Sequence, residues 1–323
     1  MRHTLRLAFA SALLAMGLAP DALAQATSWP EKPVKLILPY APGGATDLIG
    51  RPWADKLGQV LGQQFVIENR GGAGGMIGTE AAAKAPADGY TFLLTPNATV
   101  TILPSLRPVP YDALKSFEPV GRVGDLVSGF VIHPAVGVKD FWEMVAYAKQ
   151  HPGKLAYGSA GLGTATQLRV EMLKYRAGID ILHVPYRGSA DALNDLLPNT
   201  VQMMNEINVL PHVKAGKLIL LNINYPTRHP DFPDVPTLTE LGYRDADVPI
   251  WYLVLAPAGT PKDILAKFNA TLIELAKSEE IIAKMRAINV IVPPQTPEEI
   301  RVHMVEDTKR NVELIRTANI KLE

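Results

Sequence analysis

Cysteine is absent from the 323-residue chain. Disulfides, thiolate metal sites and a cysteine nucleophile are therefore excluded together. Net charge is absent too, with 32 Lys+Arg against 32 Asp+Glu. A neutral chain offers no electrostatic grip on nucleic acid and no polybasic patch for a membrane. Past residue 24, no apolar run reaches the ~18 residues of a membrane span. Low-complexity tracts, charge blocks and repeats of fixed period are also missing. Nothing reads as a flexible linker, although the length suggests about two domains at roughly 150 residues each. Two domains without a tether imply strands that cross between them. What remains is ordinary for a soluble globular protein with a real core: 47% hydrophobic and 20% charged residues.

The N-terminus stands apart. Arg2 and Arg6 precede an apolar run from Leu7 to Ala19, and Ala22-Leu23-Ala24 places small residues where a signal peptidase reads them. Residues 1–24 are expected to be a signal peptide cleaved after Ala24, leaving Gln25 as the new N-terminus. With no cysteine after the apolar run, a bacterial lipid anchor is excluded. The expected product is exported, periplasmic and nearly neutral. ATP and NAD are scarce in that setting, which weighs against nucleotide chemistry.

After Pro33, the run Val34 to Leu38 has strand character and breaks at Pro39 to Asp47. Leu48, Trp53, Leu57 and Leu61 then recur at helical spacing. Phe65-Val66-Ile67 reads as a second strand, followed by the glycine loop Asn69 to Gly75 and a helix from about Met76 to Ala85. Tyr90 to Leu94 is a third strand. The alternation resumes at Leu155, with a third glycine loop from Gly158 to Thr164 and a helix to about Ala177. Further strand candidates are Ile181 to Val184, Val201 to Met204, Leu218 to Ile223 and Trp251 to Leu255. Helices fit Asp191–Leu197, Lys262–Ala276, Glu279–Ala287 and Pro297–Ile315. Strand, glycine loop, helix, repeated, is the pattern of α/β layers with parallel strands.

In each glycine loop, freed backbone N–H groups and the dipole of the following helix make a cradle for a carboxylate or phosphate. Thr46 or Asp47 serves equally as a plain N-cap, so the first loop alone leaves capping and ligand work open. Three such loops favour a ligand, because open α/β sheets bind at the carboxyl ends of their strands. The ligand is not a dinucleotide by this reading: Gly72 and Gly74 are followed by Ile77, so G-x-G-x-x-G fails, and no P-loop is present. Around Ser159, Tyr157 replaces the first glycine of G-x-S-x-G. The histidines show neither H-x-H nor H-E-x-x-H spacing. No metal, no cofactor and no catalytic residue is expected. Trp251-Tyr252 reads either as core aromatics, to which Trp251 inclines, or as one ring set against a ligand. Pro185 to Ser189 reads as a turn capped by Ser189 or as further donors facing a cleft.

Taken in order, these segments resemble the Bug/TctC family, the extracytoplasmic solute receptors of tripartite tricarboxylate transporters. The resemblance runs from about Trp29 to the C-terminus. It rests on Trp29-Pro30, Pro42 to Asp47, Glu68 to Gly75, Asp88 to Thr91, Tyr157 to Gly161, His183 to Ser189, Pro233 to Thr237 and Leu255 to Pro261. It implies a two-lobed α/β periplasmic binding protein that closes on a small organic carboxylate like a flytrap. One lobe would comprise residues 28–127 with 250–323, the other 128–249. The carboxylate contact would fall on Gly43, Gly44, Ala45, Thr46 and Asp47, with Tyr40 just before and Asn69 opening the second loop. Ser159, Thr164 and Tyr186 would come from the opposite lobe. The implied partners are membrane transporter subunits or a sensor protein, and the implied state is a monomer. An exported hydrolase of a small ester or amide is the alternative from another class.

The departures from the family pattern are specific. Where members carry His after the third loop, this chain has Gln167. Where they read Val-Asp-Leu-Met-Phe-Asp, it reads Val201-Gln202-Met203-Met204-Asn205-Glu206. Gln167 keeps donor capacity without the titratable charge, and Asn205 puts an amide where an aromatic ring is common. With Glu206 beside them, these residues imply a ligand whose distal end differs while its carboxylate end is kept.

Overall fold

The computed structural model describes residues 28–321; the expected signal peptide lies outside them. Two sheets divide the chain. The first holds β1 (Val34–Leu38), β2 (Phe65–Asn69), β3 (Thr91–Pro96), β4 (Phe117–Leu126), β10 (Trp251–Pro257) and β11 (Val290–Ile291) in the order β11-β4-β10-β3-β1-β2. The second holds β5 (Val131–Ile132), β6 (Ala156–Ser159), β7 (Leu182–Pro185), β8 (Met203–Met204) and β9 (Ile219–Leu220) in the order β7-β6-β8-β5-β9. In the first sheet β1 runs parallel to β2 and β3, while β10 is antiparallel to β3 and β4. In the second, β6 is parallel to β7 and β8.

Helices cover both faces, so the central strands are nearly continuous apolar runs; every residue of β10 is buried. The longer helices are α1 (Ala45–Leu61), α2 (Met76–Ala83), α3 (Phe141–Gln150), α4 (Ala165–Ala177), α5 (Ser189–Leu196), α6 (Lys262–Ala276), α7 (Glu279–Ala287) and α8 (Pro297–Thr317). Helix α8 opens on a capping box, Thr296 with Glu299.

The sequence pattern missed β4 and α3. Glycine and proline inside a strand argue against it, and β4 contains Pro119, Gly121 and Gly124. The structure gives Gly121 a use: a Cβ there would lie 2.5 Å from Leu272, so glycine lets α6 pack close against β4. Helix α3 carries its signal in Asp140, whose side chain accepts from the Glu143 N–H at 2.9 Å.

The chain passes between lobes after β4 and again before β10. Arg169 of α4, fully buried, braces both passages. Its Nε donates to the Val248 carbonyl at 2.7 Å and its Nη1 to Ser128 Oγ at 2.9 Å.

Candidate functional site

All three predicted glycine loops leave the carboxyl ends of parallel strands: β1 into α1, β2 into α2, and β6 into α4. At α1 the N-cap is Gly44, with no side-chain cap; neither Thr46 nor Asp47 takes that position. Asp47 turns back instead, and its Oδ2 accepts from the Gly43 N–H at 2.9 Å. Arg51 grips the same carboxylate at 2.8 and 2.9 Å, and Asn69 Nδ2 donates to it at 3.2 Å and to the Tyr40 carbonyl at 3.1 Å. Burial works to raise the Asp47 pKa, but the bonds from Arg51, Gly43 and Asn69 prevail and lower it. Asp47 and Asn69 thus fix the loop from behind.

At α4 the N-cap is Thr164, whose Oγ1 accepts from the Gln167 N–H. The Gln167 Oε1 accepts from the Gly163 N–H at 2.7 Å, committing the side chain to its own loop. Asn205 Nδ2 donates to the Thr166 carbonyl at 2.9 Å. Ser159 Oγ lies 2.7 Å from His183 Nε2, and the His183 ring stacks on Tyr157 at 4.7 Å. This pair has the composition of a nucleophile and base. Ser159 is nevertheless fully buried, with its hydroxyl bonded within the loop to Gly161. Burial pushes the His183 pKa down to about 4, so the ring is neutral near pH 7.

Helix α5 starts after Gly188, which is its N-cap, and Ser189 does not cap it. Ser189 Oγ instead accepts from the Ala45 N–H of the other lobe at 3.1 Å. The two lobes also meet at Gly74, where φ is +67° and a Cβ would stand 2.0 Å from the Leu162 carbonyl oxygen. Only glycine permits that approach.

Between the lobes lies a cavity of about 30 Å³, enough for roughly one or two waters. Three helix N-termini form its wall: Gly44, Ala45 and Thr46 from α1, Thr164, Ala165 and Thr166 from α4, and Ser189 from α5. Tyr40, Tyr252, Glu206 and the apolar residues Pro96, Ala98, Ala160 and Ile250 complete it, and among the described residues no Lys, Arg or His lines it. Of the residues singled out in the sequence, Tyr40, Gly44, Ala45, Thr46, Thr164 and Glu206 are on the wall. Gly43, Asp47, Asn69, Ser159, Gln167 and Asn205 are not. Tyr186 also lies off it, its hydroxyl donating to Asp195 at 2.6 Å.

Sequence reasoning missed Thr166 and left Tyr252 undecided. Adjacent strand residues face opposite sides, and Trp251 reaches Asp307 while Tyr252 lines the cavity. Burial raises the phenol pKa of both Tyr40 and Tyr252, which stay protonated donors. The Tyr40 hydroxyl donates to the Gly74 carbonyl at 3.0 Å. Glu206 is 3% exposed, and its Oε2 has no hydrogen-bond partner. Burial pushes its pKa up to about 8, against the opposing pull of Arg169. Among the described residues no cluster of acidic or histidine side chains is placed to hold a metal ion.

A family model described as a tripartite tricarboxylate transporter family receptor matches residues 49–320. Protein BugT of Bordetella pertussis is 35% identical over 92% of this chain and 93% of its own length. The solved structure of the periplasmic binding protein BugD is 33% identical, covers 91% of this chain and 100% of its own, and superposes with a TM-score of 0.87. The structure of R. palustris Rpa4515 with adipate is 31% identical, covers 91% and 99%, and has the same TM-score of 0.87. The two-lobed α/β fold is shared with these binding proteins.

Proposed function

The chain belongs to the tripartite tricarboxylate transporter receptor family, and on that premise we propose that it captures a small organic carboxylate between its lobes and presents it to a membrane transporter or a sensor protein. The observation that carries this reading is the convergence of three helix N-termini on one cavity without a cationic side chain. Each N-terminus presents first-turn N–H groups with no backbone partner inside the helix and a partial positive charge, which together favour an anion. Hydrogen bonds to a charged acceptor are the stronger class.

In this reading Gly44 to Thr46 and Thr164 to Thr166 hold the carboxylate, with the Tyr252 hydroxyl as a further donor. Asp47, Asn69, Ser159, Gln167 and Asn205 keep the loops in shape. Residues 28–127 with 250–323 move against 128–249 about the passages braced by Arg169. The chain reaches the periplasm through cleavage after Ala24. The adipate bound by the R. palustris relative supports a carboxylate as the ligand class.

A thermal-shift screen of the ligand-stripped chain against small carboxylates and their methyl esters tests this. Binding to the folded state raises the melting temperature by mass action, about 2.7 kcal/mol at a hundred times Kd. The expected result is a shift with an acid that is lost with its ester. Shifts with uncharged compounds alone would sink the anion cradle, and turnover of an ester would point instead to the Ser159–His183 pair.

A further inference from the structure

Glu206 is the one acidic side chain on the cavity wall. Its Oε2 is sealed from solvent and accepts no hydrogen bond. Arg169 is the basic group whose charge acts on it, yet Arg169 Nη2 is also without a partner, so the two do not form a closed ion pair. The guanidinium is held instead by Val248 and Ser128. A buried acceptor without a donor is costly, and among the described residues no side chain satisfies it.

We propose that the ligand supplies the donor: Glu206 selects acids that carry an N–H group, ammonium or carboxamide, beyond their carboxylate, in preference to dicarboxylates. This rests on the carboxylate-capture reading above and names the ligand class for the same site. A second carboxylate would meet no cationic side chain on the wall, would be repelled by the ionised form of Glu206 at low dielectric, and could be met only by the protonated form. An ammonium favours the ionised Glu206. A carboxamide serves either protonation state, because it offers N–H to an acceptor oxygen and C=O to a protonated hydroxyl. The raised pKa of Glu206, about 8, makes both states reachable near neutrality.

Calorimetric titration of the ligand-stripped chain at pH 7 with four acids of matched length tests the selection: succinate, succinamate, 4-aminobutyrate and butyrate. Succinamate and 4-aminobutyrate are expected to bind about tenfold tighter than succinate, a gap of about 1.4 kcal/mol. Glu206→Gln is expected to weaken 4-aminobutyrate about tenfold relative to butyrate. Succinate binding as tightly as either N–H compound overturns the proposal, as does a Glu206→Gln variant with the wild-type ranking. The wild-type ranking decides the matter even if the variant fails to fold. Binding of butyrate together with a preference for succinate removes only the selection by Glu206. Silence from all four removes the carboxylate cradle and the selection with it.

Discussion

The Ala45 N–H donates to Ser189 Oγ across 3.1 Å, joining residues 144 positions apart. One belongs to the first turn of α1, the other to the first turn of α5, and each helix packs with a different sheet. The bond therefore exists only when the lobes are together. The cavity beside it measures about 30 Å³, too small for an organic acid, so the capture proposed above requires the lobes to part. In that proposal ligand entry and lobe opening are one coupled equilibrium.

Ser189→Ala removes this bond and leaves the fold of each lobe intact. A net loss of about 1 kcal/mol should weaken ligand binding roughly fivefold. Small-angle scattering of the ligand-free variant should show a larger radius of gyration than wild type. Identical scattering and affinity would make the bond a bystander.

Gly74→Ala acts as a wedge. The added methyl would collide with the Leu162 carbonyl oxygen of the facing lobe at 2.0 Å, and backbone at positive φ adds about 1 kcal/mol of strain. Binding should fall by about a hundredfold or more, equivalent to about 2.7 kcal/mol, while chemical denaturation of the ligand-free protein shows a far smaller loss. Wild-type affinity in this variant would mean that closure does not bring these loops together.

Arg169→Leu should cost about 3 kcal/mol in urea denaturation, from two lost charge-assisted bonds to Val248 and Ser128. Arg169→Lys should recover only part of that, because an ammonium cannot reproduce the guanidinium fork. Full recovery with lysine would show that charge alone is needed at this position.

The pH dependence of stability separates two buried groups. Glu206 has a pKa raised from 4.5 to about 8 on folding, so its contribution is full below pH 4.5 and is lost as pH rises toward 8. His183 has a pKa lowered from 6.5 to about 4, so its contribution is present above pH 6.5 and is lost as pH falls toward 4. The two slopes oppose each other below pH 6.5, which leaves the window from 6.5 to 8 to Glu206. Each pKa unit corresponds to about 1.4 kcal/mol. Glu206→Gln should therefore flatten the decline in melting temperature between pH 6.5 and 8, measured without ligand. A decline of the same slope in the variant would assign it to another group.

Local features were legible in the sequence, and contacts between distant segments were not. Helices α6 and α7 begin and end at the residues their apolar spacing predicts. The glycine loops were legible because the turn, the strand before it and the helix after it all lie within a few residues. Strand β4 was hidden because Gly121 answers to Leu272 of α6, a neighbour far along the chain. The same holds at the cavity. Ser189 reads locally as a cap, and only the approach of α1 makes it an acceptor for Ala45. Gln167 reads as a free donor, and only the closed turn at Gly163 shows its carbonyl engaged.

The strand order of the first sheet carries a consequence for biogenesis. Strands β3 and β4 do not pair with each other; β10 lies between them and bonds to both. As the polypeptide emerges from its N-terminus, the first lobe is left in two unjoined pieces until Pro257 has been made. The second sheet needs only residues 131–220. Its lobe can be finished while the other still exposes an unpaired edge, the form most open to chaperones and to wrong partners. A chain cut short before β10 would carry a complete second sheet and no cleft.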